Sequence, residues 1–241
     1  MASGASTGCD YMRVLGLVVL YIAVALFGAA ALAKLPHVLY GKRIAGQVVD
    51  ADTGHPIAGA HVAFVWESGI IPSGFTGHNS RDVCYHAAAA VTDKAGHFQI
   101  EPWRKWSTYS VYPMEPVALV YARNYMPRQI PLHVGYYVPP IERTNERFAL
   151  KIFTGNVDQR MDALFWGLSN KGCAYGGQSQ KSLYVFLKAI FDESRQIART
   201  KDNQDTLDII ARMAAKAALA ADPNGRVTDE QVNEFIREHL Q

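Results

Sequence analysis

Hydrophobic positions recur along this chain with two different periods, and the change between them falls near Thr154. Before that point apolar residues come in short, β-prone runs separated by Asp, Gly and Pro, the signature of strands joined by tight turns. Residues 43–49 read as a first strand and residues 60–66 as a second, with DADTGHP over 50–56 supplying the turn between them. Asp side chains bond nearby backbone N–H groups there, Gly54 accepts positive φ, and Pro56 fixes the exit. Val62, Phe64 and Trp66 alternate with Ala63 and Val65, so both faces of the second strand are apolar, as suits a strand buried inside a layered packing. Residues 67–83 are rich in Gly, Ser, Pro and Asn and read as a long loop. The HAAAA run inside 84–92 favours helix by propensity, but the Asp93-Lys94-Ala95-Gly96 turn and the β-prone 97–100 that follow argue for strand, turn and strand. Further strands are expected at 117–123, 129–133 and 147–153, kept short by seven prolines between 102 and 140.

Beyond Thr154 the period lengthens to three and four. Leu183, Phe186, Leu187, Ile190, Phe191 and Ile197 predict one helix over 179–199, and Leu207, Ile210, Met213, Ala214 and Ala217 a second. Val232, Phe235, Ile236 and Leu240 give a third, opened by Thr228-Asp-Glu-Gln231, a capping box, and residues 161–168 add a short one. Each has a single apolar face, so they pack on each other or on the strands.

The N-terminus follows neither pattern. Residues 14–33 form a run of 20 without a charge between Arg13 and Lys34, the length a helix needs to cross a bilayer. Ala31-Leu32-Ala33 also fits a signal-peptidase site, so the run is either an uncleaved anchor or a cleaved signal peptide. Both place the body outside the cytoplasm, on the periplasmic side of the membrane. Lys34, Lys42 and Arg43 after the run weigh against that orientation, since basic residues favour the cytoplasmic flank.

Composition narrows the function further. The 24 Lys and Arg against 22 Asp and Glu are scattered rather than striped, which argues against a nucleic-acid partner. Cys9, Cys84 and Cys173 lie far apart with no CxxC pair, excluding a zinc ribbon or a thioredoxin-type motif. In an oxidising compartment Cys84 and Cys173 are the candidate disulfide, with two buried free thiols as the alternative.

One resemblance ties the β region together. Ile44, Gly46, Val48, Asp50, Thr53-Gly54, Pro56-Ile57, Gly59-Ala60 and Val62, then Thr92-Asp93, Gly96 and Phe98, resemble the carboxypeptidase regulatory-like domain over residues 42–100. That resemblance implies a transthyretin-like Greek-key β-sandwich and a non-catalytic module with a folding or interaction role, of the kind found beside peptidases and in surface proteins. The chain departs from the pattern in the insertion after Trp66 and in the aromatic, proline-rich stretch 102–116. The expected organisation is α+β: a signal peptide or anchor with linker over 1–41, the sandwich over 42–154 and a helical domain over 155–241.

Catalytic motifs are missing from the sequence. A zinc peptidase needs an HxxE pair, and none of the eight histidines starts one; His78 and His86 precede Asn-Ser-Arg and Ala-Ala-Ala. His55, His61, His78, His86 and His97 crowd the β region without ligand spacing. Asp222 to Val227 looks like part of a calcium loop, but counting from Gly225 as the sixth position puts Ala220 and Gln231 where carboxylates belong. The one GxSxG match, Gly4-Ala5-Ser6-Thr7-Gly8, precedes the apolar run 14–33 rather than sitting at a strand-to-helix elbow, and the glycine-rich 172–177 lacks the GK[ST] of a phosphate loop. The expectation is a non-enzymatic envelope protein with no cofactor and no metal, acting through an envelope protein or a glycan. Trp103, Trp106, Tyr109 and Tyr112, in proline-broken segments, are the candidate contacts, and a carbohydrate or cell-wall binding role for 102–116 is the alternative.

Overall fold

A computed structural model describes residues 37–69, 82–107, 116–132, 142–169, 181–220 and 227–240. The chain divides into two compact units, residues 1–38 with 106–110, and residues 39–105 with 111–241. The second holds nearly all of the described chain. Among the described residues it is a mixed α/β structure built from antiparallel pairings, one parallel pairing and four helices.

The turn residues act as their chemistry requires. β2 (Ile44–Asp50) ends in Asp50, whose Oδ1 accepts from the amides of Asp52 at 2.9 Å and Thr53 at 2.8 Å, closing the turn that the sequence marks. In the later corner Asp93 Oδ1 accepts from the amides of Ala95 and His97, and Gly96 takes φ +73°. A side chain at Gly96 would sit 2.6 Å from the Val48 carbonyl oxygen, so the corner needs glycine on both counts. That corner leads into β5 (His97–Ile100), which pairs antiparallel with β2, while β9 (Arg143–Leu150) pairs with β2 in parallel on the other side.

The second sheet is antiparallel in the order β4 (Asp82–Val91), β3 (His61–Gly69), β7 (Val117–Tyr121), β8 (Arg128–Pro131). The alanine run is a strand because of what stands opposite: Ala87, Ala88, Ala89 and Ala90 pair with Val65, Phe64, Ala63 and Val62. Small residues across from large ones leave room for Phe64, fully buried, and tertiary pairing outweighs the helix propensity of alanine. Phe64 in turn reaches Phe98 and Phe148 of the three-stranded sheet at ring separations of 5.9 and 6.2 Å, so the two sheets share one core with Val48, Val62, Val120 and Leu150.

The opposite face of the four-stranded sheet is apolar as well. Ala63, Val65, Ala87, Leu119 and Tyr121 join Leu164, Leu187, Ile190, Ile210 and Ala214 in a second core. Those come from α1 (Val157–Ser169), α2 (Tyr184–Ile197), which follows a 3-10 turn at Lys181–Leu183, and α3 (Lys201–Leu219). α4 (Asp229–His239) begins with the expected capping box, Thr228 accepting from the Gln231 amide and Gln231 accepting from the Thr228 amide. The helices therefore bury their faces against the sheet and each other, which explains why Ala63 and Val65 are as buried as Phe64 on the other side.

Three expectations need correction. Residues 37–41, read as linker, form β1 (His37–Gly41), and Trp103 with Trp106, read as lying outside regular strands, belong to β6 (Trp103–Ser107), its partner in a two-stranded sheet. Pro102 sits just before that strand, where its missing N–H costs no ladder bond. The loop after Trp66 is shorter than 67–83, since β3 runs to Gly69 and β4 starts at Asp82. Among the described residues no helix is long and apolar enough to cross a membrane; residues 14–33 lie outside them.

Candidate functional site

A β-bulge builds the best-defined surface feature of the molecule. Trp66 pairs with His86 and Glu67 pairs with Cys84, so Tyr85 is an extra residue on β4. Below the bulge Ala88 and Ala90 pack towards the inter-sheet core; above it Tyr85 takes that direction, while Cys84 joins the helix-facing core. The bulge thus brings His86 and Tyr85 to the same side as Trp66.

Trp103 of β6 closes over this group. Its ring stacks on His86 at 4.0 Å and 25°, meets Trp66 edge-on at 5.3 Å, and lies 5.9 Å from Tyr85. Gly41 of β1 backs it so closely that a Cβ there would fall 2.2 Å from Trp103 Nε1, which is buried without a hydrogen-bond partner. Burial, and secondly the Lys105 ammonium, push His86 down to about 4, so it is a neutral ring at physiological pH. Lys105 Nζ donates to the Tyr85 carbonyl at 3.4 Å.

Outside this cluster lies an open cleft of about 370 Å³, lined by Tyr40, Gly41, Lys42, Pro102, Trp103 and Arg104. Tyr40 is 40% exposed. Among the described residues the cleft offers two aromatic surfaces, a proline ring and two cationic side chains, groups suited to stacking and hydrogen-bond donation.

Of the four aromatic candidates, Trp103 belongs to the half-buried cluster and Trp106 is 70% exposed on β6, while Tyr109 and Tyr112 lie outside the described residues. Tyr40, Lys42 and Arg104 were not singled out by the sequence reading, which weighed His86 only as a metal ligand. Only the alternation of apolar residues in HVLYG hinted at a strand there, and nothing local announces its pairing with β6. Cys84 is buried on β4; Cys173 and the glycine-rich 172–177 lie outside the described residues, as do residues 222–226.

A larger depression, about 580 Å³, runs past Gln47, Asp93, His97, Asn145, Glu146 and Arg147. Its acids are committed to structure: Asp93 holds the β-turn, and Glu146 pairs with Arg143 at 3.1 Å. Among the described residues no group of three His, Cys, Asp or Glu is placed to hold a metal.

The buried charged pair is structural too. Arg160 of α1 grips Glu193 of α2 in a two-pronged contact, Nε to Oε1 at 2.7 Å and Nη2 to Oε2 at 3.0 Å, and also donates to the Tyr125 carbonyl. The Tyr121 hydroxyl of β7 donates to Glu193 Oε2 at 2.6 Å, and burial followed by that bond raises the phenol well above its ordinary range. Arg160 and Glu193 are 5% and 7% exposed, so the triad is an internal clamp between sheet and helices.

No protein-family model matches the chain, and no curated protein is similar to it. Among solved structures, a 3-chlorocatechol 1,2-dioxygenase from Rhodococcus opacus 1CP is 14% identical with a TM-score of 0.28, over 47% of this chain and 61% of that enzyme. A 9R-lipoxygenase from Cyanothece PCC8801 is 11% identical with a TM-score of 0.26, over 95% of this chain and 35% of that enzyme. The chain thus spans less than two thirds of either, and likeness this slight carries no argument about fold or chemistry.

Proposed function

We propose that the protein is a non-catalytic interaction or scaffolding module of the cell envelope. In this reading it is exported or held in the membrane through residues 14–33, and its strands form a transthyretin-like Greek-key sandwich followed by a helical domain. The observation that carries it is the contrast between two places in the fold. The groups with shifted acidity, Tyr121, His86 and Asp50, are spent on internal contacts, whereas the open cleft beside Trp103 presents ring faces and cations. The occupant is a protein segment that lays an aromatic or proline side chain against Tyr40 and supplies acceptors to Lys42 and Arg104. Charge reversal at Arg104→Glu, on an exposed position, is expected to abolish co-purification of that partner from envelope extracts and leave thermal stability unchanged. Partner capture that is indifferent to Arg104→Glu contradicts the reading.

A second reading, a carbohydrate or cell-wall binding role, draws on Trp106, whose ring is 70% exposed. Wide exposure of a large aromatic suits stacking on a sugar face. Trp103 is part of the aromatic core, so Trp106→Ala is the informative variant: loss of cell-wall binding supports this reading, and unchanged binding or none removes it.

We also propose that Cys84 and Cys173 form a disulfide in the exported body. Its support is that Cys84 is buried on β4 in a body that this reading places in an oxidising compartment.

A further inference from the structure

We propose that a second cleft, enclosed by α2, α3 and α4 and independent of the Trp103 surface, binds an aliphatic ligand with a carboxylate head. It has a volume of about 410 Å³, within the range of roughly 300 to 1,000 Å³ typical of small-ligand sites. Its walls separate by chemistry. Phe191, Leu207, Ile236 and Leu240 supply an apolar lining, with Phe191 and Leu240 buried and Leu207 and Ile236 half-buried.

Arg195 and Arg199 stand on the same cleft, both exposed, and neither forms an ion pair or hydrogen bond among the described residues. Phe191 and Arg195 are four residues apart on α2 and so lie on one face, which brings ring and guanidinium together. Asp208 is the acid on this cleft, and its carboxylate is bound by Arg212 Nε at 2.9 Å within α3. The Gln204 amide is likewise occupied, donating to the Ala198 carbonyl at 3.1 Å.

Two guanidinium groups without anionic partners beside an apolar wall match a carboxylate followed by a hydrocarbon chain. A guanidinium fork donates two parallel N–H bonds to the two oxygens of a carboxylate, and the chain takes the place of water over Leu207 and Ile236. The cleft holds no nucleophile and no free acid or base, so the expected event is binding without turnover.

The test uses the full chain and decanoate, titrated below its micelle-forming concentration and followed by calorimetry and by backbone NMR shifts. The expected result is saturable one-to-one binding with shifts confined to α2, α3 and α4. Decanol is expected to bind at least tenfold more weakly and acetate not at all. The double variant Arg195→Gln with Arg199→Gln should weaken decanoate at least tenfold while the thermal transition stays put, because neither arginine holds a structural contact. Leu207→Gln, which removes apolar wall and also packing against the helical core, should weaken decanoate and lower the thermal transition. Equal binding of decanol and decanoate, unchanged affinity in the double variant, no saturation, or equally tight displacement by an acidic peptide lacking an aliphatic group would each overturn the assignment.

Discussion

At the scale of single residues, His86 and Asp50 decide how the protein responds to acid. The His86 ring is held neutral down to about 4 by burial, whereas in the unfolded chain it protonates near its ordinary value of 6.5. Its folded value is the lower of the two, so the unfolded state binds the proton first as pH falls. Stability is complete above pH 6.5 and declines from there towards 4. Asp50 acts on the same side but lower: the Thr53 amide bond in particular holds its carboxyl below the usual carboxylate range, so its contribution is present above the unfolded value of 3.8 and is lost as pH falls through the folded one. Chemical denaturation at a series of pH values is expected to show a loss below 6.5 that shrinks in His86→Gln, the remainder coming from His61, which burial also lowers, and a further loss below 4 that shrinks in Asp50→Asn. Gly41 is the steric counterpart. Gly41→Ala drives a methyl into Trp103 and should cost about 1–3 kcal/mol, read from denaturant midpoints. The Asp50 turn was legible in the sequence, but the His86 and Gly41 roles were not, since His86 looks like any exposed histidine until the bulge at Tyr85 turns it onto Trp103.

At the scale of elements, the clamp of Arg160, Glu193 and Tyr121 joins α1, α2 and β7 where each alone presents an apolar face. Removing one member strands a buried charge: Glu193→Ala is expected to cost about 3–5 kcal/mol, whereas the paired replacement Arg160→Met with Glu193→Leu should cost far less. A thermodynamic cycle of the two single variants and the pair checks this, and a paired loss equal to the sum of the singles would contradict it. Elements whose signals are local were legible in advance. The capping box at Thr228 and Gln231 and the turns at Asp50 and Asp93 carry their partners within a few residues. β1 and β6 were not, because each is a strand only through the other, 60 and more residues away in sequence. The alanine run was legible only through its neighbours, since alanine gains its strand conformation from Phe64 and Val62 opposite.

At the scale of the whole molecule, the four-stranded sheet is apolar on both faces, and this follows from β3 alone: Val62, Phe64 and Trp66 face the second sheet while Ala63 and Val65 face the helices. The sequence carried that two-sidedness in plain view, together with the helical period beyond Thr154. What covers each face was not legible, because periodicity specifies that a face is buried and says nothing of its partner. The candidate cleft was partly legible: Trp103 was singled out, but Tyr40, Lys42 and Arg104 come together only once β1 and β6 pair. The proposed bridge between Cys84 and Cys173 belongs at this scale too. Alkylation of exported protein without prior reduction should leave both cysteines unmodified in the intact mass, and modification of both contradicts the bridge.

The central claim is that the Trp103 cleft is a contact surface for another envelope molecule. Site-specific photo-crosslinking from position 104, with position 205 on the exposed face of α3 as the comparison, tests it in cells that make the protein. The account predicts a discrete adduct from position 104 that is absent from position 205 and is lost when Lys42 is replaced by Glu. No adduct from position 104, or the same adducts from both positions, would contradict it.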